Sequence, residues 1–254
     1  MPRFFVPQKN IDQKMNSAFI CGEDSRHISR SLRMAVGDEI IISDGEGAEY
    51  EGVIARFDEE RVYLDLRDCR KNTTEPPFKA RIFQALPKGE RLDTVIQKAT
   101  ECGAFSIETF ESEFCIAKEK SDSAERKLER RRKIALEAAK QCGRGIVPTI
   151  EPTCSFEEAV IKASKADIPI FCYEGEGTLP LSELILDKRR GFSTSEGICP
   201  EISVVIGSEG GFSSREAEFA KNNGMLLAGL GKRILRTETV ASFVLACLVY
   251  EFEL

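Results

Sequence analysis

The chain has 254 residues, 42% of them hydrophobic and 31% charged, with a formal net charge of −6. That is enough chain for one large core or two smaller ones, and the composition is that of a globular protein, not a fibrous or disordered one. No apolar run reaches the roughly 18 residues of a membrane span, and Met1 to Val6 carries neither a long apolar stretch nor a small-residue cleavage site, so a cytoplasmic protein without a signal peptide is expected.

Residues 1–71 read as β structure. Ile40-Ile41-Ile42, a turn at Asp44-Gly45-Glu46-Gly47, alternation from Tyr50 to Ile54, a polar turn at Asp58-Glu59-Glu60 and Val62-Tyr63-Leu64 follow one another closely. Short strands with turns at that spacing predict a small barrel. The stretch 72–77, polar and then two prolines, predicts a linker.

Beyond the linker the rhythm changes. Residues 79–86 predict a strand. Leu92, Val95, Ile96, Ala99 and Cys102 make a helical stripe, with Gly103 placed to end that helix. A strand over 105–110 and a long basic helix over about 124–142 come next. Strands are predicted at 168–173, 202–206 and 226–230, and a last helix at 237–252. Alternating strands and helices predict a mostly parallel sheet covered by helices.

The nine cysteines are odd in number and none falls in a C-x-x-C spacing, and His27 is the only histidine. A zinc site, a disulfide framework and a Ser-His-Asp triad therefore lack material, and no metal is expected. His27 reads as a packing or hydrogen-bonding residue of the barrel. The charge is uneven: residues 1–33 carry net +3, 34–75 net −7, 76–150 net +4 and 151–254 net −6. Local basic surface on an acidic protein is compatible with a phosphate backbone as partner, and equally with a solvated helix face.

The chemistry concentrates at two glycine-bearing turns. The strand Ile202 to Ile206 runs into Gly207-Ser208-Glu209-Gly210-Gly211, and Ser213 with Glu216 three residues on fits a capping box that opens a helix. No Lys-Ser or Lys-Thr follows, so this is not a P-loop, and neither the G-x-G-x-x-G nor the G-x-S-x-G spacing is present. What remains is a turn whose glycines let backbone approach a ligand at the carboxyl end of a parallel strand. A tight turn with a solvated Glu209 is the competing reading. The second turn, Leu230 to Ser242, has a glycine, two cations, an apolar pair and Arg236 before a helix. Two such turns on adjacent strands can line one pocket.

"IGSEGGFSSRE" at 206–216 together with "LGKRILRTETVAS" at 230–242 closely resembles the ribosomal RNA small-subunit methyltransferase E family. These enzymes, of the knotted SPOUT class, methylate N3 of a uridine in 16S ribosomal RNA. "RFFV" at 3–6, "HISRSLRMAVGD" at 27–38, "PKGERLDTVIQKATECGA" at 87–104 and "EAAKQCGRGIVPTI" at 137–150 extend the resemblance over nearly the whole chain. Ser208 stands where the family usually has proline, Cys102 where it has leucine, Val240 where it has alanine. Phe114-Cys115 stands where family members commonly have Arg-Ser, which removes one arginine that could touch RNA.

The resemblance implies a PUA-like β-barrel RNA-binding domain over 1–72 and a SPOUT α/β trefoil-knot methyltransferase domain over 76–254. It implies S-adenosylmethionine held by three loops: Tyr173 and Glu174; Ile206, Gly207, Glu209, Gly210 and Gly211; and Leu230, Gly231, Arg233, Ile234 and Leu235. Arg236 and Glu209 are the catalytic candidates, Arg236 as the cation beside the developing charge or as the ion-pair partner of Glu238. Arg3, Arg30 and Arg33 from the barrel, and Lys88, Arg91, Lys98 and Arg144 beyond it, are the RNA candidates. Arg130 to Lys133 are weaker ones, since one helix cannot aim four consecutive side chains at one surface. A homodimer through the last helix is expected. The alternatives are a SPOUT-class enzyme with a different target base and a catalytically silent RNA-binding protein.

Overall fold

A computed structural model describes residues 1–119, 121–189 and 199–254. The chain divides into two compact units, one of Met1–Glu75 with Ala139–Val147, the other of Pro76–Ala138 with Pro148–Leu254. The division falls between Glu75 and Pro76, and the segment 139–147 joins the N-terminal unit. Glu75 is the reason. Its carboxylate accepts from the Arg144 guanidinium at 2.6 Å and from the backbone N–H groups of Gly145 and Ile146 at 3.0 and 3.1 Å. The Ser43 hydroxyl donates to the Gly145 carbonyl at 2.9 Å.

The N-terminal unit is a six-stranded sheet with a short helix, α1 (Glu23–Arg26), beside it. Its strands are β1 (Arg3–Phe5), β2 (Ile11–Asp12), β3 (Ser17–Cys21), β4 (Glu39–Ser43), β5 (Ala48–Phe57) and β6 (Arg61–Lys71), in the order β1-β4-β5-β6-β3-β2. Ile40, Ile42, Ile54, Val62 and Leu64 point to one face and are buried with Phe4, Ile20 and Ile28. Register shifts between β5 and β6 bend the sheet around this core. The end strands β1 and β2 do not pair, so the expected barrel is an open, curled half-barrel.

The second unit is built on a seven-stranded sheet. β7 (Lys79–Ala85), α2 (Arg91–Glu101), β8 (Ala104–Glu111), α3 (Ser121–Cys142), β9 (Thr149–Ser155) and α4 (Phe156–Ala163) come first. β10 (Ile168–Cys172), β11 (Leu179–Pro180), α5 (Leu181–Arg189), β12 (Glu201–Ile206), α6 (Ser214–Asn222), β13 (Leu226–Gly229) and α7 (Thr237–Phe252) follow. The order is β11-β13-β10-β12-β7-β8-β9, and every pairing is parallel. β12 and β10 are covered on both faces, which is why they read as nearly continuous apolar runs, broken in β12 by the buried Ser203. None of the described helices is long and apolar enough to cross a membrane.

This order sets β13, β10 and β12 side by side. The segments that leave their carboxyl ends, after Gly229, Cys172 and Ile206, therefore emerge together.

Candidate functional site

The turn after β12 is closed by a bridge between Ser208 and Gly211, whose N–H donates to the Ser208 carbonyl at 3.0 Å. Gly211 sits at φ +66°, in the left-handed region that suits glycine. Gly210 is required for a different reason: a Cβ there would lie 2.8 Å from the Cβ of Phe114. The helix that follows is opened by the capping box, with the Ser213 hydroxyl accepting from the Glu216 N–H and the Glu216 carboxylate from the Ser213 N–H.

Two further contacts stitch the loops together. The Tyr173 N–H, just past β10, donates to the Ala228 carbonyl of β13 at 3.0 Å. At the start of α7 the Thr237 hydroxyl donates to the Gly207 carbonyl at 2.7 Å. The fully buried Gln84, near the end of β7, donates to the Thr237 oxygen at 2.9 Å. The three loops wall a cavity of about 840 Å³, a size typical of sites for drug-sized ligands. Tyr173, Glu174, Ile206, Gly207, Glu209, Gly210, Gly211, Leu230, Gly231, Arg233, Ile234 and Leu235 all line it, and so does Arg236. Every residue expected at a cofactor therefore lies on one cavity.

Two residues join them that sequence reasoning placed elsewhere. Arg91, expected at RNA, lines the cavity from the first turn of α2 and bonds to Glu209. Its Nε lies 3.7 Å from the Glu238 carboxylate. Glu238 thus faces Arg91 and not Arg236, which is exposed and makes no ion pair among the described residues.

Burial pushes the Glu209 carboxyl up, but its own N–H, the Lys88 N–H at 3.0 Å and Arg91 outweigh burial and hold it below the ordinary carboxylate value. Burial alone pushes the Cys172 thiol, also on the wall, up to about 12, so it lines the cavity as a neutral group.

Among the described residues, three buried side-chain polar atoms have no partner: Gln84 Oε1, Ser208 Oγ and Glu238 Oε2. Ser208 and Glu238 line the cavity, and Gln84 is bonded to the loops that form it. An orphaned buried polar group costs about 1–3 kcal/mol. The two on the cavity wall, Ser208 and Glu238, fit a polar ligand that supplies the missing bonds.

A family model described as an RNA methyltransferase domain matches residues 74–249, and one described as an RNA methyltransferase PUA domain matches residues 20–67. Ribosomal RNA small subunit methyltransferase E of Bacillus subtilis is 31% identical over 259 residues, covering 100% of this chain and 98% of that protein. The chain belongs to the ribosomal RNA small subunit methyltransferase E family. A crystal structure of a hypothetical protein superposes with TM-score 0.88 at 30% identity, covering 99% of this chain and 98% of that one. A Legionella pneumophila protein solved in complex with the bound cofactor SAM superposes with TM-score 0.82 at 26% identity, covering 98% and 97%.

For a family that acts on ribosomal RNA, the free cations matter. Arg30, Arg33 and Lys88 are exposed. Lys98 is half-exposed and pairs with Glu101 one turn along α2. Two candidates are corrected. Arg144 has a side chain only 4% exposed and is committed to Glu75. Arg3 is bonded to the buried Glu49, which also accepts from Asn72 at 2.6 Å. Both arginines neutralise carboxylates inside the N-terminal unit. Of the basic run in α3, Arg131 is buried against Glu119 at 2.7 Å, while Arg130 and Arg132 pair with Asp93 and Glu129. His27 is exposed and packs edge-on to Phe4.

Proposed function

We propose that this chain methylates N3 of a uridine in 16S ribosomal RNA, with S-adenosylmethionine as the methyl donor. The observation that carries the reading is the single cavity lined by both glycine turns and by Arg236. When bound there, S-adenosylmethionine supplies an electrophilic methyl group.

The chain's own residues do the rest. Backbone groups of 207–211 and 230–235 would hold the adenine and the methionyl end, with Gly207, Gly210, Gly211 and Gly231 leaving the backbone open to a ligand. The unpartnered oxygens of Ser208 and Glu238 offer hydrogen-bond positions inside the wall. N3 of uracil lies on the Watson–Crick edge and carries a proton, so the base must leave any pairing before it reacts. Negative charge then develops on N3 and the flanking carbonyls, and the uncommitted Arg236 guanidinium stabilises it. Glu209 is ionised before reaction and anchors Arg91 and the Lys88 N–H through Oε1; the N3 proton leaves to its other carboxylate oxygen or to solvent water.

The reading includes a trefoil knot formed by the last third of the chain, a cytoplasmic address and a homodimer through α7. Tyr250, near the end of α7, is 73% exposed, which supports a partner surface there. The test is mass mapping of 16S RNA from cells with and without the protein. One N3-methyluridine should vanish on deletion and return with the wild-type chain but not with Arg236→Ala. An unchanged map would sink the proposal. A catalytically silent RNA binder predicts no affinity for S-adenosylmethionine, which calorimetry reads directly.

A further inference from the structure

Phe114 is the residue that the site's chemistry leaves unexplained. It lies in the loop after β8, and 45% of it is exposed. One exposed ring is ordinary, but Phe114 and the nearby Ile116, 72% exposed, put two large apolar side chains on one short loop. The loop does not merely hang free. Residues 112–115 form a tight turn, in which the Cys115 N–H donates to the Ser112 carbonyl at 3.0 Å and the Ser112 N–H to Cys115 Sγ at 3.3 Å. Ser112 and Cys115 are both buried. The turn is also bolted to the N-terminus of α6. The Glu113 N–H donates to Glu216 at 2.8 Å, and the Ser213 hydroxyl donates to Glu113 at 2.7 Å.

The same capping box that ends the glycine turn thus holds the turn that carries Phe114. The ring's own Cβ packs on Gly210, so close that glycine is the only residue with room there. Gly210 lines the cavity. An exposed aromatic side chain on a tied-down turn therefore stands beside Gly210, a residue of the cavity wall, with the exposed Ile116 two residues on.

We propose that Phe114 is a positioning residue that stacks on an unpaired nucleobase of the RNA substrate and holds the target strand at the mouth of the cavity. The chemistry suits the place. A base drawn out of its stack loses its neighbours' π faces, and an aromatic side chain replaces one of them. Stacking needs no charge, so an apolar ring suffices for the contact. The inference rests on the RNA-methyltransferase reading above. It adds which side chain grips the substrate and by which force.

The experiment compares Phe114→Ala, Phe114→Leu and Phe114→Trp with the wild type, on 16S RNA or small subunits as substrate. Stacking predicts that Ala and Leu both raise KM for RNA by between about 5- and 150-fold, with kcat and S-adenosylmethionine affinity unchanged, and that Trp restores the wild-type KM. A merely apolar packing role predicts instead that Leu behaves as wild type, which overturns the proposal. Loss of cofactor affinity or of thermal stability in Phe114→Ala would assign the ring to the fold and overturn it too. So would dissociation of dimers to monomers in sedimentation, since the ring would then cover a second copy. Binding of the same RNA is measured without cofactor as well. If the wild type binds RNA more tightly than Phe114→Leu yet methylates nothing, the methylation reading fails and the stacking inference stands.

Discussion

Gln84 and Thr237 are 153 residues apart in sequence and 2.9 Å apart in the fold. The Gln84 amide donates to the threonine oxygen, and the threonine hydroxyl passes its own proton to the Gly207 carbonyl at 2.7 Å. One fully buried side chain on β7 thereby fixes the start of α7 against the glycine turn after β12. The cavity's shape depends on that relay.

Replacing Thr237 by valine keeps the volume and deletes the relay. The Gly207 carbonyl loses its short bond in a buried place, which costs about 1–3 kcal/mol. Urea unfolding should show that loss, and calorimetry should show weaker binding of S-adenosylmethionine. A variant of wild-type stability and affinity would mean that the loops hold their positions without Thr237.

Glu209 makes the site acid-sensitive in a defined direction. Its folded-state value lies below that of an ordinary carboxyl, so its contribution is present above the unfolded value of about 4.3 and is lost as pH falls through the folded one. Cofactor affinity should therefore be flat through neutral pH and fall only in the acid range, as Arg91 and the Lys88 N–H lose their acceptor. Glu209→Gln should bind more weakly at pH 7 and lose that acid-limb dependence. An affinity that falls already between pH 8 and 6 would point to another group.

Much of this was legible in the sequence because it rests on local signals. The inward alternation of Ile40 and Ile42 marks β4, and the apolar run Ile202 to Ile206 marks a strand buried on both faces. Ser213 and Glu216 announce the start of α6, and the glycine turns mark the cavity. β9 has no such signal: it is a short edge strand whose sequence, Thr149 to Ser155, is mostly polar and contains Pro152. The helix after it does carry one, since Ser155 and Glu158 form a second capping box. The fates of Arg144, Arg3 and Arg91 were not legible. A guanidinium in a sequence is a charge without an address, and their carboxylate partners lie 69, 46 and 118 residues away.

Those addresses separate two kinds of arginine and lysine experimentally. Lys88→Ala should weaken RNA binding at low salt and reduce the slope of log affinity against log salt by about 1, leaving stability unchanged. Arg144→Ala should lower stability by about 3–5 kcal/mol, because it strands Glu75 beside the buried turn at 145–146. At temperatures where the variant is folded, its salt slope should match the wild type. An unaltered slope in Lys88→Ala would remove that lysine from the RNA surface.

The last helix tests assembly. α7 buries Val240, Ala241, Val244, Leu245 and Leu248 within its own unit. Its remaining girth is polar at Glu238, Thr239, Ser242 and Glu251 but otherwise apolar over its second half: Phe243, Cys247 and Val249 are only partly covered, Ala246 and Tyr250 are exposed, and Leu186 of α5 is 48% exposed. A helix with one buried stripe normally turns charge outward, and the second half of this one turns mainly apolar groups outward instead. An isologous twofold interface removes that surface from water using the same residues on both copies. Phe243→Asp should then give monomers, because a carboxylate facing its own symmetry mate is desolvated next to a like charge. α7 begins where the Arg236 loop ends, so cofactor binding and methylation should weaken along with the dimer. Sedimentation at micromolar concentration decides the matter: a wild-type monomer with full activity ends the dimer proposal, and a dimer that survives Phe243→Asp moves the interface off this helix.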